Sequence, residues 1–132
     1  MAMKKNILLV DDDRIFNLIN TRYLERTGYA NDIHTATNGR EALNLINDYY
    51  TGIQAMPDII LLDLNMPIMD GFTFIEAFQR LQIPRKDSVK IVIVTSSADE
   101  RDLERAKALG ITHYLNKPIT DKDIKAILEL RE

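Results

Sequence analysis

The chain contains no cysteine in its 132 residues. Structural disulfides, thiolate metal sites and a cysteine nucleophile are therefore excluded. Its longest apolar runs are strand-sized, far short of a membrane-spanning helix. The opening Met1-Ala2-Met3-Lys4-Lys5 lacks the apolar region of a secretory signal. There is no excess of positive charge either. Seventeen Lys and Arg face twenty Asp and Glu, a formal net charge of -3, which leaves no global basic surface for nucleic acid or anionic membrane. No linker and no low-complexity segment interrupts the chain. What remains is one domain, residues 1–132, with 45% hydrophobic and 28% charged residues, large enough for a real core. The cytoplasm is the default location.

Against these absences, short apolar runs that end in polar residues stand out. Ile7–Val10 runs into Asp11-Asp12-Asp13. Ile59–Leu62, opened by Pro57, stops at Asp63 and is followed by the turn signals Met66-Pro67 and Asp70-Gly71. Val89–Val94 runs into Thr95-Ser96-Ser97. Unbroken apolar runs bounded by turn residues read as strands buried on both faces. Ala30–Ala36 and Ile111–Leu115 supply two weaker strands.

Helical spacing fills the gaps. Asp13 caps a first helix whose apolar positions Ile15, Leu18, Ile19 and Tyr23 predict its inward face, and Gly28 closes it. Asn38 with Glu41 forms a capping-box pattern for a second helix through Leu43 and Ile46, followed by a loop from Tyr49 to Met56. Asp70-Gly71 opens a third, with Phe72, Ile75, Phe78 and Leu81 inward. Gln82–Ser88 is a polar connection. Ser97 with Glu100 caps a fourth, carrying Leu103, Ala106 and Leu109 and ended by Gly110. Thr120 with Asp123 caps a fifth, with Ile124, Ile127 and Leu128 inward.

Five β-α units in a row imply parallel strands joined by right-handed crossovers. Five are too few for an eightfold barrel. The expected fold is α/β: a doubly wound, five-stranded parallel sheet in the flavodoxin-like order 2-1-3-4-5. In that order the first and third strands meet at the switch point. Asp11 and Asp12 then lie beside Asp63, with Thr95 and Ser96 one strand away and Lys117 in the last loop. Clustered acids repel each other. A hard cation such as Mg²⁺ relieves that, and a hydroxyl and an ammonium across from it suit an anion. The combination points to phosphoryl transfer.

Taken together, VDDD at 10–13, DLNMP at 63–67 with DG at 70–71, TSS at 95–97 and KP at 117–118 resemble the receiver domain of two-component response regulators, the CheY-like family. The resemblance covers nearly the whole chain, in order and with the family's spacing. It implies that Asp63 is the phosphoacceptor, loaded from a phosphohistidine on a histidine kinase or phosphotransfer protein. It implies that Asp11, Asp12, Asp63 and the Asn65 backbone carbonyl ligate Mg²⁺, with Mn²⁺ a substitute. Thr95 and Lys117 would hold the phosphoryl group, and Thr95 with Tyr114 would form the switch. Asn65 and Ser97 would tune hydrolysis of the acyl phosphate. The Lys117–Pro118 bond is expected to be cis. Output would pass through helix 4, strand 5 and helix 5, roughly residues 97–130, to an unknown output protein or through a homodimer. The charge balance leaves no nucleic-acid or membrane contact expected for this chain, and the resemblance implies a switch rather than a turnover enzyme. Long polar loops before the third and fourth strands favour a stand-alone receiver over one domain of a longer protein.

Two rivals remain at this point. One is an aspartyl-phosphate phosphatase or phosphotransferase of the haloacid-dehalogenase type, which carries a second Asp where this chain has Asn65. The other is a receiver-fold interaction module that is never phosphorylated. Blander readings cover the rest. Asp58 is a surface charge, Asp70 a helix cap, Asp99–Lys107 a solvated face, and His34 and His113 surface or boundary residues.

Overall fold

The computed structural model describes residues 4–50, 56–96 and 99–129. Five strands, β1 (Lys5–Val10), β2 (Ala30–Ala36), β3 (Ile59–Leu62), β4 (Lys90–Thr95) and β5 (His113–Asn116), alternate with five helices. The helices are α1 (Arg14–Thr27), α2 (Gly39–Tyr50), α3 (Gly71–Arg80), α4 (Glu100–Ala108) and α5 (Asp121–Leu128). All strand pairs are parallel, and the sheet order is 2-1-3-4-5, as the β-α alternation requires. Among the described residues no helix is long and apolar enough to cross a membrane.

The three inner strands are buried on both faces because the sheet is sandwiched. Leu8, Val10, Ile60, Leu62, Ile91 and Ile93 face α2, α3 and α4. Ile7, Leu9, Ile59, Leu61, Val92 and Val94 alternate to the other side, against α1 and α5. Edge strands β2 and β5 are only half-buried. Strand β3 is set at its start by Asp58. This residue is more than the surface charge expected: its carboxylate accepts from Asn6 N–H at 2.8 Å, and its carbonyl accepts from Lys90 N–H at 2.9 Å.

Several boundaries differ from the sequence reading. Helix α2 continues through Tyr50, so Tyr49 is a buried helical residue rather than the start of a loop. Phe74, fully buried, was not among the inward residues expected on α3, and Leu81 is that helix's C-cap. Helix α4 is capped by Asp99, which accepts from Asp102 N–H, in place of the expected Ser97 capping box. Ser97 itself lies outside the described residues. Leu103 on that helix is 40% exposed. Strand β5 begins at His113, two residues after Ile111. The capping box of Thr120 and Asp123 is present, and Ile124, Ile127 and Leu128 are buried as expected.

The largest correction concerns α1. Ile15, Leu18 and Ile19 are 68%, 52% and 57% exposed, while Asn17, Asn20 and Leu24 are buried. The polar residues go inward because backbone acceptors await them. Asn17 Nδ2 donates to Asp11 O at 2.9 Å, and Asn20 Nδ2 donates to Phe16 O at 2.8 Å. Both amide nitrogens are thus paired, which limits the cost of burying them, while Asn17 Oδ1 is buried with no hydrogen-bond partner among the described residues. Leu24→Ala is therefore expected to lower stability by about 2–5 kcal/mol. Ile15→Ser or Ile19→Ser is expected to stay within about 0.5 kcal/mol of the parent. Urea midpoints decide it, and an Ile19 loss matching that of Leu24 would mean the wrong face has been placed inward.

Candidate functional site

The C-terminal edge of the sheet carries the polar cluster. Strand β1 ends and Asp11 follows, its N–H held by Ala36 O at 3.0 Å. Strand β3 ends and Asp63 follows, its N–H held by Val10 O at 2.9 Å. The two acids thus continue the ladder by one residue each, side by side. Oxygens of Asp11, Asp12 and Asp63 all lie within 4.8 Å of one another. Asp11 and Asp63 are buried and Asp12 is exposed.

Local structure holds each group in place. Asp11 Oδ1 accepts from Asp13 N–H at 2.9 Å. Asp13 caps α1 as expected, accepting from Ile15 N–H at 3.0 Å and Phe16 N–H at 3.1 Å. After Asp63 the chain doubles back through 64–70 to Asp70, which caps α3 by accepting from Thr73 N–H. That return needs Gly71. A Cβ there would lie 2.5 Å from Asp63 O and 2.9 Å from Leu64 Cα, both backbone atoms that cannot give way. The same loop holds Ile68 at φ 67°, a left-handed conformation uncommon for a β-branched residue, with its side chain 83% exposed.

Thr95 ends β4, fully buried, and its carbonyl accepts from Lys117 N–H at 3.0 Å. That bond ties the last loop to the β4 end. The Lys117–Pro118 peptide is cis. Lys117 Nζ lies 2.6 Å from Asp11 Oδ2 and 3.8 Å from Asp63 Oδ2. The lysine thus pairs with both acids, and the shorter contact is with Asp11. At 2.6 Å the contact is an ion pair without hydrogen-bond alignment, and among the described residues nothing donates a hydrogen bond to Asp11 Oδ2. A buried carboxylate oxygen so placed, with two more carboxylates in reach, fits a hard divalent cation.

Asp63 does not ionise as an ordinary carboxyl. Its pKa is pushed up to about 6, first by burial, then by the negative charge of Asp11, with Asp12 adding a little. Lys117 and the Asn65 backbone N–H, which hydrogen-bonds it, pull the other way. Burial wins because solvation lost by the carboxylate exceeds what one ammonium returns.

The remaining candidates are scattered. The Asn65 side chain is exposed. Tyr114 sits on β5 against the core near α4, its phenol oxygen buried without a hydrogen-bond partner among the described residues. Burial, then Asp102 and Asp99, raise its pKa. His34 packs edge-on against Tyr49 at 5.6 Å, and His113 is half-buried on β5. Neither belongs to the acidic cluster. Two residues were not anticipated. Asn17 tethers the backbone of Asp11, and the Phe16 ring lies 4.4 Å from Lys117 Nζ. The available signal was polar residues at helical spacing, Asn17 and Asn20, just past the acids.

The model of the response regulator receiver domain matches residues 7–129. The chain belongs to this family. It is 31% identical over 123 residues to the probable methanogenesis regulatory protein FilR2 of Methanothrix harundinacea, covering 93% of this chain and 78% of that one. A two-component response regulator from Cytophaga hutchinsonii superposes with a TM-score of 0.83 at 32% identity, over 94% of each chain. Chemotaxis protein CheY4 of Vibrio cholerae gives 0.79 at 30% identity, over 96% and 97%. Some relatives are longer: this receiver domain spans 44%, 49% and 47% of three of them.

The raised pKa of Asp63 has a consequence for stability. The folded chain holds this proton more tightly than the unfolded chain does. Its contribution is full below the ordinary value of 3.8 and is lost as pH rises through about 6. Asp63→Asn cannot ionise, so in chelator it should gain stability relative to the parent between about pH 4 and about pH 7. Denaturant midpoints for the pair that keep a constant gap across that range would refute the assignment.

Proposed function

We propose that this receiver domain is a phosphorylation-controlled switch whose acceptor is Asp63, loaded from a phosphohistidine on a sensor kinase or phosphotransfer protein. The observation that carries this reading is three carboxylates gathered within 4.8 Å, with a lysine ammonium at 2.6 and 3.8 Å from two of them. A carboxylate oxygen of Asp63 attacks phosphorus as the bond to the imidazole nitrogen breaks, leaving an acyl phosphate and a free histidine. Asp11, Asp12, Asp63 and the Asn65 carbonyl would hold Mg²⁺, or Mn²⁺ in its place. The bound cation supplies neutralisation of the charge shared by the acids and the phosphoryl oxygens. Lys117 gives up Asp11 to pair with the phosphoryl group, and the Thr95 hydroxyl binds a second oxygen of it.

Asn65 stands two residues after the acceptor, where an aspartyl-phosphate phosphatase carries its general acid or base. That favours a slowly self-dephosphorylating switch over a turnover enzyme, with Asn65 and Ser97 setting the adduct's lifetime. Thr95 and Tyr114 then pass the change to α4, β5 and α5, which engage an output protein or a second copy, in the cytoplasm. The phosphodonor protein docks on exposed apolar residues of the two segments that follow the acids in the chain: Ile15, Leu18 and Ile19 on α1, and Ile68 in the loop after Asp63. Exposed apolar patches rimmed by polar groups mark such surfaces.

Incubation with Mg²⁺ and acetyl phosphate should add one phosphoryl mass to the intact chain. The adduct should be absent in Asp63→Ala and in chelator. An unmodified mass would reject the switch, and steady consumption of many equivalents would favour the phosphatase. Ile15→Asp with Ile19→Asp should slow transfer from a phosphohistidine donor domain by about tenfold or more. The acetyl phosphate rate should not change, and equal slowing with both donors would rule out the docking face.

A further inference from the structure

We infer that Phe16 is a positioning residue for Lys117, its ring face holding the ammonium over the acidic pair. The inference rests on the phosphoacceptor reading above and adds a residue to it. Phe16 lies in the first turn of α1, where its N–H donates to Asp13 Oδ1 at 3.1 Å. The residue that follows the acidic pair in sequence thus fixes the backbone of the aromatic. The side chain turns inward, half-buried, against the cluster that includes Leu9, Leu61 and Val94. Lys117 Nζ stands 4.4 Å from the ring centroid. The same nitrogen is 2.6 Å from Asp11 Oδ2 and 3.8 Å from Asp63 Oδ2.

The ammonium therefore has carboxylates and a π-face around it, and its side chain is 20% exposed. Lysine is a compact charge on a flexible four-carbon stem, so reach alone does not keep it in place. An aliphatic side chain at position 16 would fill the same volume and offer the charge nothing. The negative face of a benzene ring attracts it, and more strongly as water is removed. Phosphoryl transfer then asks the ammonium to shift only between neighbouring oxygens, with the ring as a fixed flank. A cation–π contact of this partly desolvated kind corresponds to about a fivefold gain in the held population.

Fluorination of Phe16 tests this, because fluorine drains the ring face of negative charge with little change in volume. Full-length chains carrying mono-, di- and trifluorophenylalanine at position 16 are compared with Phe16→Leu and Phe16→Tyr. In the metal-free parent the Lys117 ε-methylene resonances should lie upfield through the ring current. They should return to ordinary lysine positions in Phe16→Leu and stay shifted in Phe16→Tyr. With Mg²⁺ and acetyl phosphate, the rate of Asp63 phosphorylation should fall stepwise with fluorine count, by about fivefold at three fluorines and in Phe16→Leu. Phe16→Tyr should restore it. A rate that is flat across the fluorinated series, or that follows thermal midpoint alone, overturns the inference and leaves Phe16 as packing. If the parent accepts no phosphoryl group, the acceptor reading fails, and the ε-methylene shift alone decides whether the ring holds the ammonium.

Discussion

Two carboxylates are buried side by side at the ends of adjacent strands, and one ammonium faces them both. The rest of the edge is arranged around that constraint. At an effective dielectric of about 20, unit charges no more than 4.8 Å apart repel by at least about 3 kcal/mol. Lys117, at 2.6 Å from Asp11 and 3.8 Å from Asp63, returns part of this, though on Asp63 its pull is smaller than the push of Asp11. Yet Asp63 still titrates near 6, because burial is the largest influence on it. The ammonium offsets part of the repulsion and does not restore the lost solvation. An edge left in that condition favours whatever brings further positive charge or further hydrogen-bond donors.

That balance explains why so much backbone converges there. Asp11 and Asp63 each extend the parallel ladder by one residue. Asn17 grips the Asp11 carbonyl, Asp13 donates to its carboxylate, and Gly71 admits the Asp63 carbonyl at a distance no side chain allows. Thr95 fixes the Lys117 backbone through one hydrogen bond. Each contact is ordinary, and together they hold like charges where the chain alone would let them part.

The strand ends were legible in the sequence because buried parallel strands leave an unambiguous mark: Ile7–Val10 and Ile59–Leu62 are unbroken and stop at acids. Asp11, Asp12, Asp63, Thr95 and Lys117 followed from the sheet order. The face of α1 was legible only at Tyr23. Apolar periodicity selects Ile15, Leu18, Ile19 and Tyr23, but of these only Tyr23 packs inward, half-buried beside Phe16, Asn17, Asn20 and Leu24. Counting apolar residues assumes that polar ones prefer water, and Asn17 and Asn20 have carbonyl partners inside. The Phe16–Lys117 contact was hidden for a related reason. It joins residues a hundred positions apart, and only the turned helix brings them together.

The same packing argument singles out α4. Ala106 is the one described residue of that helix that is buried, and Leu103 is 40% exposed. Helix α3, by contrast, buries Phe72, Phe74, Ile75 and Phe78. What attaches α4 to α3 is largely polar. Arg105 lies 4.3 Å over the Phe72 ring and 3.3 Å from Glu76, and Gln79 Nε2 donates to the Leu109 carbonyl at 2.6 Å. Exposed ion pairs of this kind are worth little, at most about 1 kcal/mol. Tyr114 adds a hydroxyl beside this helix with no hydrogen-bond partner among the described residues. Elements with little apolar burial open and shift at the lowest free energy. Helix α4 is accordingly held to the sheet by little apolar burial, and displacing it breaks few apolar contacts.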